Sequence, residues 1–129
     1  MPKVLDTNVI IRYLLNDDVK KADKVESLLK SKDKLILTDV VVSEAVWVLS
    51  SYYEVPKRQI KEWLSSLLIL KNVKANKSLL LGALEYYGRL SVDWIDAYLI
   101  SFVLESNLKE IYSYDQDLDK VKLVTRKEP

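Results

Sequence analysis

The chemistry open to this chain is narrowed first by what it lacks: it has no histidine and no cysteine. Imidazole general bases, histidine-dependent serine triads, thiolate nucleophiles and the usual zinc sites are therefore excluded. Carboxylates remain, and several stand at conspicuous places. Asp6 closes the short run Lys3-Val4-Leu5 just before a helical pattern that opens with Val9, Ile10 and Ile11. Glu44 interrupts an apolar stretch of Val41, Val42, Ala45, Val46, Trp47, Val48 and Leu49. Asp96, with Asp93 three residues before it, lies among Trp94, Ile95, Ala97, Tyr98, Leu99 and Ile100. Asp115 ends Glu110-Ile111-Tyr112-Ser113-Tyr114 as Asp6 ends the first run. Four gathered carboxylates repel one another, so Asp6, Glu44, Asp96 and Asp115 make sense as a cluster only with cations between them. Ligands made only of oxygen favour Mg²⁺ or Mn²⁺. Two such ions about 3.5–4 Å apart can activate water and stabilise a leaving oxygen, which is the chemistry of phosphodiester hydrolysis.

Each acid also has a purely structural reading. Asp6 can cap the helix that follows it, and Asp93 can stabilise a helix dipole from the first turn. Glu44, buried without a partner, would cost several kcal/mol, so it needs water or a cation. Asp96 reads as a turn deeper than Asp93 and gains less from the dipole. Asp115, Asp117 and Asp119 have the spacing of a calcium loop, but its sixth position is Lys120 and its twelfth Arg126, which excludes that site.

The elements that must position these acids follow from periodicity and punctuation. A first strand covers Lys3 to Asp6 and a short helix runs on to Leu15. A helix from Val19 to Leu29 carries Lys20, Lys21, Lys24 and Lys30, read as a solvated face before a phosphate-tracking one. Lys34 to Thr38 is a second strand, and Asp39 is the expected N-cap of a helix from Val40 to Tyr53. Pro56 suits the first turn of a helix from Lys57 to Leu70. Asn72 to Ala75 reads as a short edge strand, and Asn76 to Tyr87 as a helix stopped by Gly88. Ser91 is the expected cap of a helix starting at Val92. Glu110 to Tyr114 and Lys122 to Val124 are the closing strands. Strands alternating with helices predict an α/β class: a three-layer α/β/α domain with a central, mainly parallel sheet of four to five strands. In that architecture strand ends and early helix turns converge on one edge of the sheet.

At 129 residues and 49% hydrophobic content the chain fits a single domain, residues 1–129, with a real core. Twenty basic and nineteen acidic residues leave a net charge of +1, which excludes a strongly polycationic nucleic-acid binder but not a basic rim around an acidic cleft. No apolar run approaches the ~20 residues of a membrane span, and no signal peptide precedes Asp6, so a soluble cytoplasmic protein is expected.

Taken in order, the motifs resemble those of PIN-domain proteins, specifically the VapC-type toxins of toxin–antitoxin pairs. Leu5-Asp6-Thr7-Asn8-Val9-Ile10-Ile11-Arg12-Tyr13-Leu14 resembles their opening, and Ser43-Glu44 with Val46-Trp47-Val48-Leu49 their second motif. Val92-Asp93-Trp94-Ile95-Asp96-Ala97 is similar to the third, and Tyr112-Ser113-Tyr114-Asp115 to the fourth. The resemblance implies a Mg²⁺- or Mn²⁺-dependent ribonuclease acting on RNA, inhibited by an antitoxin protein. It carries catalytic roles onto Asp6, Glu44, Asp96 and Asp115, and metal binding onto these and Asp93. Thr7, Asn8 and Ser113 would orient carboxylates or water, with Asp117 a peripheral acid. Trp94 stands where the family pattern has Phe, and Ser113 where threonine is commoner. A homodimer is expected from the apolar surface of the Val40–Tyr53 and Lys57–Leu70 helices. Two other readings stay open: a housekeeping RNA-processing nuclease of this fold, and a non-catalytic RNA-binding module. The intact acid set argues against the second. A phospho-acceptor receiver domain fits poorly, since Asp6 has no paired acid beside it.

Overall fold

The computed structural model describes residues 1–129 and separates into two compact units, Met1–Lys77 and Ser78–Pro129. The first contains β1 (Lys3–Val4), α1 (Thr7–Leu15), α2 (Val19–Leu29), β2 (Leu35–Ile36), α3 (Asp39–Trp47), a π-helical turn (Val48–Tyr52), α4 (Lys57–Leu68) and β3 (Val73–Lys74). Its strands form a parallel sheet in the order β1-β2-β3, with Lys3 opposite Leu35 and Leu35 opposite Val73. The second contains α5 (Lys77–Arg89, whose first residue belongs to the first unit), α6 (Trp94–Glu105), β4 (Glu110–Tyr112), a 3₁₀ turn (Gln116–Lys120) and β5 (Thr125–Lys127). There β4 and β5 pair in parallel, Ile111 opposite Arg126. Every strand pairing is parallel, as the alternation of strands and helices requires, and the chain is an α/β protein of this predicted class. No helix is long and apolar enough to cross a membrane.

In the first unit α1 ends where Asn16 turns left-handed (φ 53°) and donates its N–H to the Arg12 carbonyl. An asparagine takes that conformation at low cost, and it lets α2 pack back on α1. Leu35, Leu37, Val42, Leu49, Ile60, Leu64 and Leu68 lie fully inside, each stabilising the fold by roughly 1.5–3 kcal/mol. The buried face of α4 confirms its periodicity. Ile60, Leu64, Leu67 and Leu68 are its buried residues, while Ile69 just after it is exposed. Helix α3 differs: Val40 and Trp47 are exposed, as is Tyr52 on the π-helical turn.

β1 ends the three-stranded sheet with both residues exposed. Four expectations need correcting in these elements. Thr38, not Asp39, caps α3 by accepting from the Val41 N–H (3.2 Å), and Asp39 falls in the first turn. Pro56 is the cap residue of α4, one position before its first turn. Gly88 does not stop α5, which runs on to Arg89. The last strand is Thr125–Lys127 rather than Lys122–Val124, because Val124 is spent on the core.

In the second unit Gly82 is required by packing. A Cβ at this position would meet the Ser101 Oγ on α6 at 2.6 Å, and that buried hydroxyl donates to the Leu79 carbonyl (2.7 Å). The small residue lets α5 and α6 approach closely at the level where α6 carries its core side chains Ala97 and Ile100.

Candidate functional site

The predicted site residues divide between the units: Asp6, Thr7, Asn8 and Glu44 in the first, Asp93, Asp96, Ser113, Asp115 and Asp117 in the second. Asp6 is the N-cap of α1, its Oδ1 accepting from the Thr7 backbone N–H at 2.8 Å. Thr7 therefore orients Asp6 through its main chain. Asp6 itself is exposed, which leaves Oδ2 open to solvent. Glu44 is exposed on α3, so the desolvation cost that made it conspicuous in sequence does not arise. Its side chain instead borders a groove of about 370 Å³ together with Thr7, Asn8, Arg12, Trp47 and Tyr53. Across this groove Arg12 donates to the Tyr53 hydroxyl (3.1 Å), and it also donates to Asp17 (2.9 Å). The π-helical turn presents Tyr53 for that bond, and left-handed Glu54 (φ 54°) ends the segment.

The second unit brings two of the predicted acids into contact. Helix α6 begins later than its sequence pattern implied. Ser91 is not its cap; Asp93 holds that position, without a side-chain capping bond, and Asp96 falls in the first turn rather than deeper. Asp96 is 8% exposed, and its Oδ2 is buried with no hydrogen-bond partner. Burial above all, then a hydrogen bond to Asp115 and the negative charges of Asp115, Asp93 and Asp117, push the Asp96 carboxyl up from its ordinary 3.8 to about 7. Asp115 moves the opposite way. It accepts the Asp96 hydrogen bond and one from the Asp117 backbone N–H (2.9 Å), and Lys120 and Arg126 favour its charge. Below neutrality the pair is thus a neutral carboxyl donating to a carboxylate, the arrangement two acids adopt when they cannot both ionise.

Asp115 is held by two hydrogen bonds, and a third group braces the segment that carries it. The Ser113 Oγ accepts from its backbone N–H (3.0 Å), so Ser113 acts on the main chain of the acid, not on its carboxylate. Asp117 supplies its own backbone N–H, while its carboxylate pairs with Lys120 (3.0 Å). The third support is Arg126, which sequence reasoning met only as a disqualifying residue in a calcium loop. Its guanidinium grips Asp119 through two bonds (2.9 and 3.1 Å), donates to the Ser113 carbonyl (3.0 Å) and reaches Glu128 (2.8 Å). These partners raise its already high pKa and depress that of Asp119. The one signal available beforehand was an arginine, suited to bidentate pairing, among the lysines of the last strand.

In neither unit do three or more acidic side chains close around one point as a metal ion requires. The Asp96–Asp115 pair nevertheless has two features that a cation could satisfy: a buried Asp96 carboxylate oxygen with no protein donor, and a neighbouring acid whose negative charge helps to push the Asp96 carboxyl up. A divalent ion could replace the shared proton and satisfy the orphaned oxygen.

A family model described as the PIN domain matches residues 3–123, nearly the whole chain. No curated protein matches it significantly.

Proposed function

Because the chain belongs to the PIN domain family, whose members are generally nucleases, we propose that it is a divalent-metal-dependent endoribonuclease and the toxin of a toxin–antitoxin pair. The observation that carries this reading is the Asp96–Asp115 pair, with the buried Asp96 Oδ2 that no protein group satisfies. In a chain without histidine or cysteine, a buried carboxyl pushed up toward neutrality beside a second acid is the kind of group that active sites hold.

In this reading Asp6, Glu44, Asp96 and Asp115 are the catalytic acids, and Asp93 adds a carboxylate for metal binding. Mg²⁺ or Mn²⁺, when bound, would supply activation of water and charge neutralisation at the phosphate. The chain's own groups prepare the site. Thr7 fixes one oxygen of Asp6, Ser113 and Asp117 fix Asp115, and Arg126 anchors the loop that carries it. Asn8, beside Glu44 in the first unit's groove, offers an amide to water or to substrate. The exposed Val40, Trp47 and Tyr52 support a homodimer built on the Val40–Tyr53 segment, with an antitoxin docking across the same apolar surface. A cytoplasmic setting fits both an RNA substrate and the absence of cysteine.

The test is inducible expression of the wild type beside Asp96→Asn, followed by analysis of total RNA. Growth arrest with discrete RNA cleavage, lost in the variant, is expected. Cleavage without arrest would point to a housekeeping nuclease, and RNA binding without cleavage would overturn the enzymatic reading.

A further inference from the structure

The amino ends of β2 and β3 carry a feature unrelated to the acids. A groove of about 420 Å³ is bordered by Lys30, Lys32, Lys34, Lys71 and Lys74, with Asn72 between them. No carboxylate borders it. Lys30 is neutralised by Glu26 (3.0 Å), and nearby Asp33 is turned to Lys3 (3.5 Å). Lys32, Lys34, Lys71 and Lys74 make no ion pair. Four ammonium groups sharing a groove repel one another, and an anion placed among them relieves that repulsion.

The groove is also built rather than accidental. The Asn72 amide donates to the carbonyls of Ser31 and Asp33, both at 3.1 Å, across about forty residues of sequence. The Asn72 backbone carbonyl accepts from the Leu35 N–H (2.8 Å). Ser31 closes the turn, donating to the Leu28 carbonyl (2.6 Å) and accepting from the Asp33 N–H (3.2 Å). These bonds hold the turn carrying Lys32 and Lys34 against the segment carrying Lys71 and Lys74. The groove's one large apolar neighbour, Leu29, is buried, so it offers little to an apolar partner.

We propose that this groove is a second RNA contact, in which Lys32, Lys34, Lys71 and Lys74 bind backbone phosphates. The identification of the polyanion as RNA rests on the nuclease reading above. Because the strands are parallel, Lys32, Lys34 and Lys71 precede β2 and β3 and Lys74 closes β3, while Asp6 follows the closing end of β1 in the same sheet. In this proposal a long RNA engages the lysines as well as the acids, which an oligonucleotide too short to span the two does not. The groove thus favours long substrates by adding affinity away from the cleavage chemistry.

The experiment measures fluorescence anisotropy of a long single-stranded RNA, in EDTA, over a range of salt concentrations. Wild type is compared with a variant combining Lys32→Gln, Lys34→Gln, Lys71→Gln and Lys74→Gln, and with the matching four-arginine variant. Each phosphate contact on a single strand contributes about −0.7 to the slope of log K against log salt, so the glutamine variant should lose about 3 from the slope. Between 50 and 200 mM salt that amounts to about fiftyfold less salt-sensitivity. The arginine variant should keep the wild-type slope, and all three proteins should cleave a short oligonucleotide equally in Mg²⁺. An unchanged slope and affinity in the glutamine variant would overturn the proposal. So would displacement of RNA by polyglutamate as effective as by unlabelled RNA, which would mark the groove as a dock for an acidic protein segment. If lysine-dependent binding holds but no protein cleaves either RNA, the nuclease reading fails and this one stands.

Discussion

Replacing Asp96 by asparagine makes permanent the state that the carboxyl adopts only below neutrality: a neutral group able to donate to Asp115. The wild-type carboxyl is raised from 3.8 to about 7, so between those values the folded protein binds more protons than the unfolded chain. Stability therefore falls as pH rises through this window, and the loss is complete above about pH 7. At about 1.4 kcal/mol per tenfold change in proton affinity, the shift has a ceiling of about 4 kcal/mol. Asp115 is partly exposed and water screens the pair, so about 1–2 kcal/mol is expected to be realised. The asparagine variant lacks this loss. Its stability relative to wild type should rise by about 1–2 kcal/mol between pH 4.5 and 8, a relative melting shift of several degrees for a domain of this size. The assay is thermal and urea unfolding followed by circular dichroism, in EDTA. Asp115→Asn refines it: burial is the foremost cause of the Asp96 shift, so part of the pH slope should survive removal of the neighbour. Stability profiles of wild type and Asp96→Asn that run parallel across the window would refute the reasoning.

Arg126→Gln should leave the chain folded but lower nuclease activity by about tenfold or more, the usual effect of loosening a group that orients a reactive one; steady-state cleavage of a short RNA reads it, and Arg126→Lys should rescue only partly because it cannot grip Asp119 through two bonds. Gly82→Ala should destabilise by about 1–2 kcal/mol despite better helix propensity, since it displaces the buried Ser101 hydroxyl; adding Ser101→Ala should recover that loss in urea unfolding. Mg²⁺ or Mn²⁺ at one hundred times its Kd should stabilise the wild type by about 2.7 kcal/mol. The accompanying melting shift should be larger at pH 8 than at pH 5 and smaller in Asp96→Asn, and equal shifts in all cases would mean that Asp96 holds no ion.

The order of elements and the parallel class were legible because strand and helix periods alternate cleanly from Lys3 to Tyr112. What failed was punctuation, for a physical reason. Ser91 and Asp93 are both residues that cap helices, and so are Thr38 and Asp39; only the backbone decides between them. At Asp93 it turns extended (φ −70°, ψ 163°), which delays α6 and moves Asp96 into its first turn. The last strand was misplaced because Leu123 and Val124 look more strand-like than Thr125–Lys127. Pairing chose the register instead: β5 aligns with β4, and Lys127 forms an ion pair with Glu110. The acids themselves stood out, since a carboxylate amid apolar residues is rare. That Asp96 meets Asp115, while Glu44 faces water, could not be read from sequence. Burial depends on what the rest of the chain places over each helix face, and Arg126 acquires its role only when β5 is aligned.

A chain without histidine has no side chain whose ordinary pKa lies near neutrality. The fold makes one from a carboxyl by placing Asp96 where water is scarce and a second acid is adjacent. The first turn of α6 pulls the other way, since a helix N-terminus favours negative charge, yet burial and the neighbouring acids prevail. That balance is informative. A carboxyl needed only for helix stability would serve better exposed and ionised, where the dipole acts without a desolvation cost. Holding it buried, beside an acid fixed by Ser113, Asp117 and Arg126, costs stability above neutral pH, and that cost is removed by any cation that replaces the shared proton. In the proposed reading the pair therefore serves a site that binds positive charge rather than a helix cap, and it takes up metal as the proton leaves.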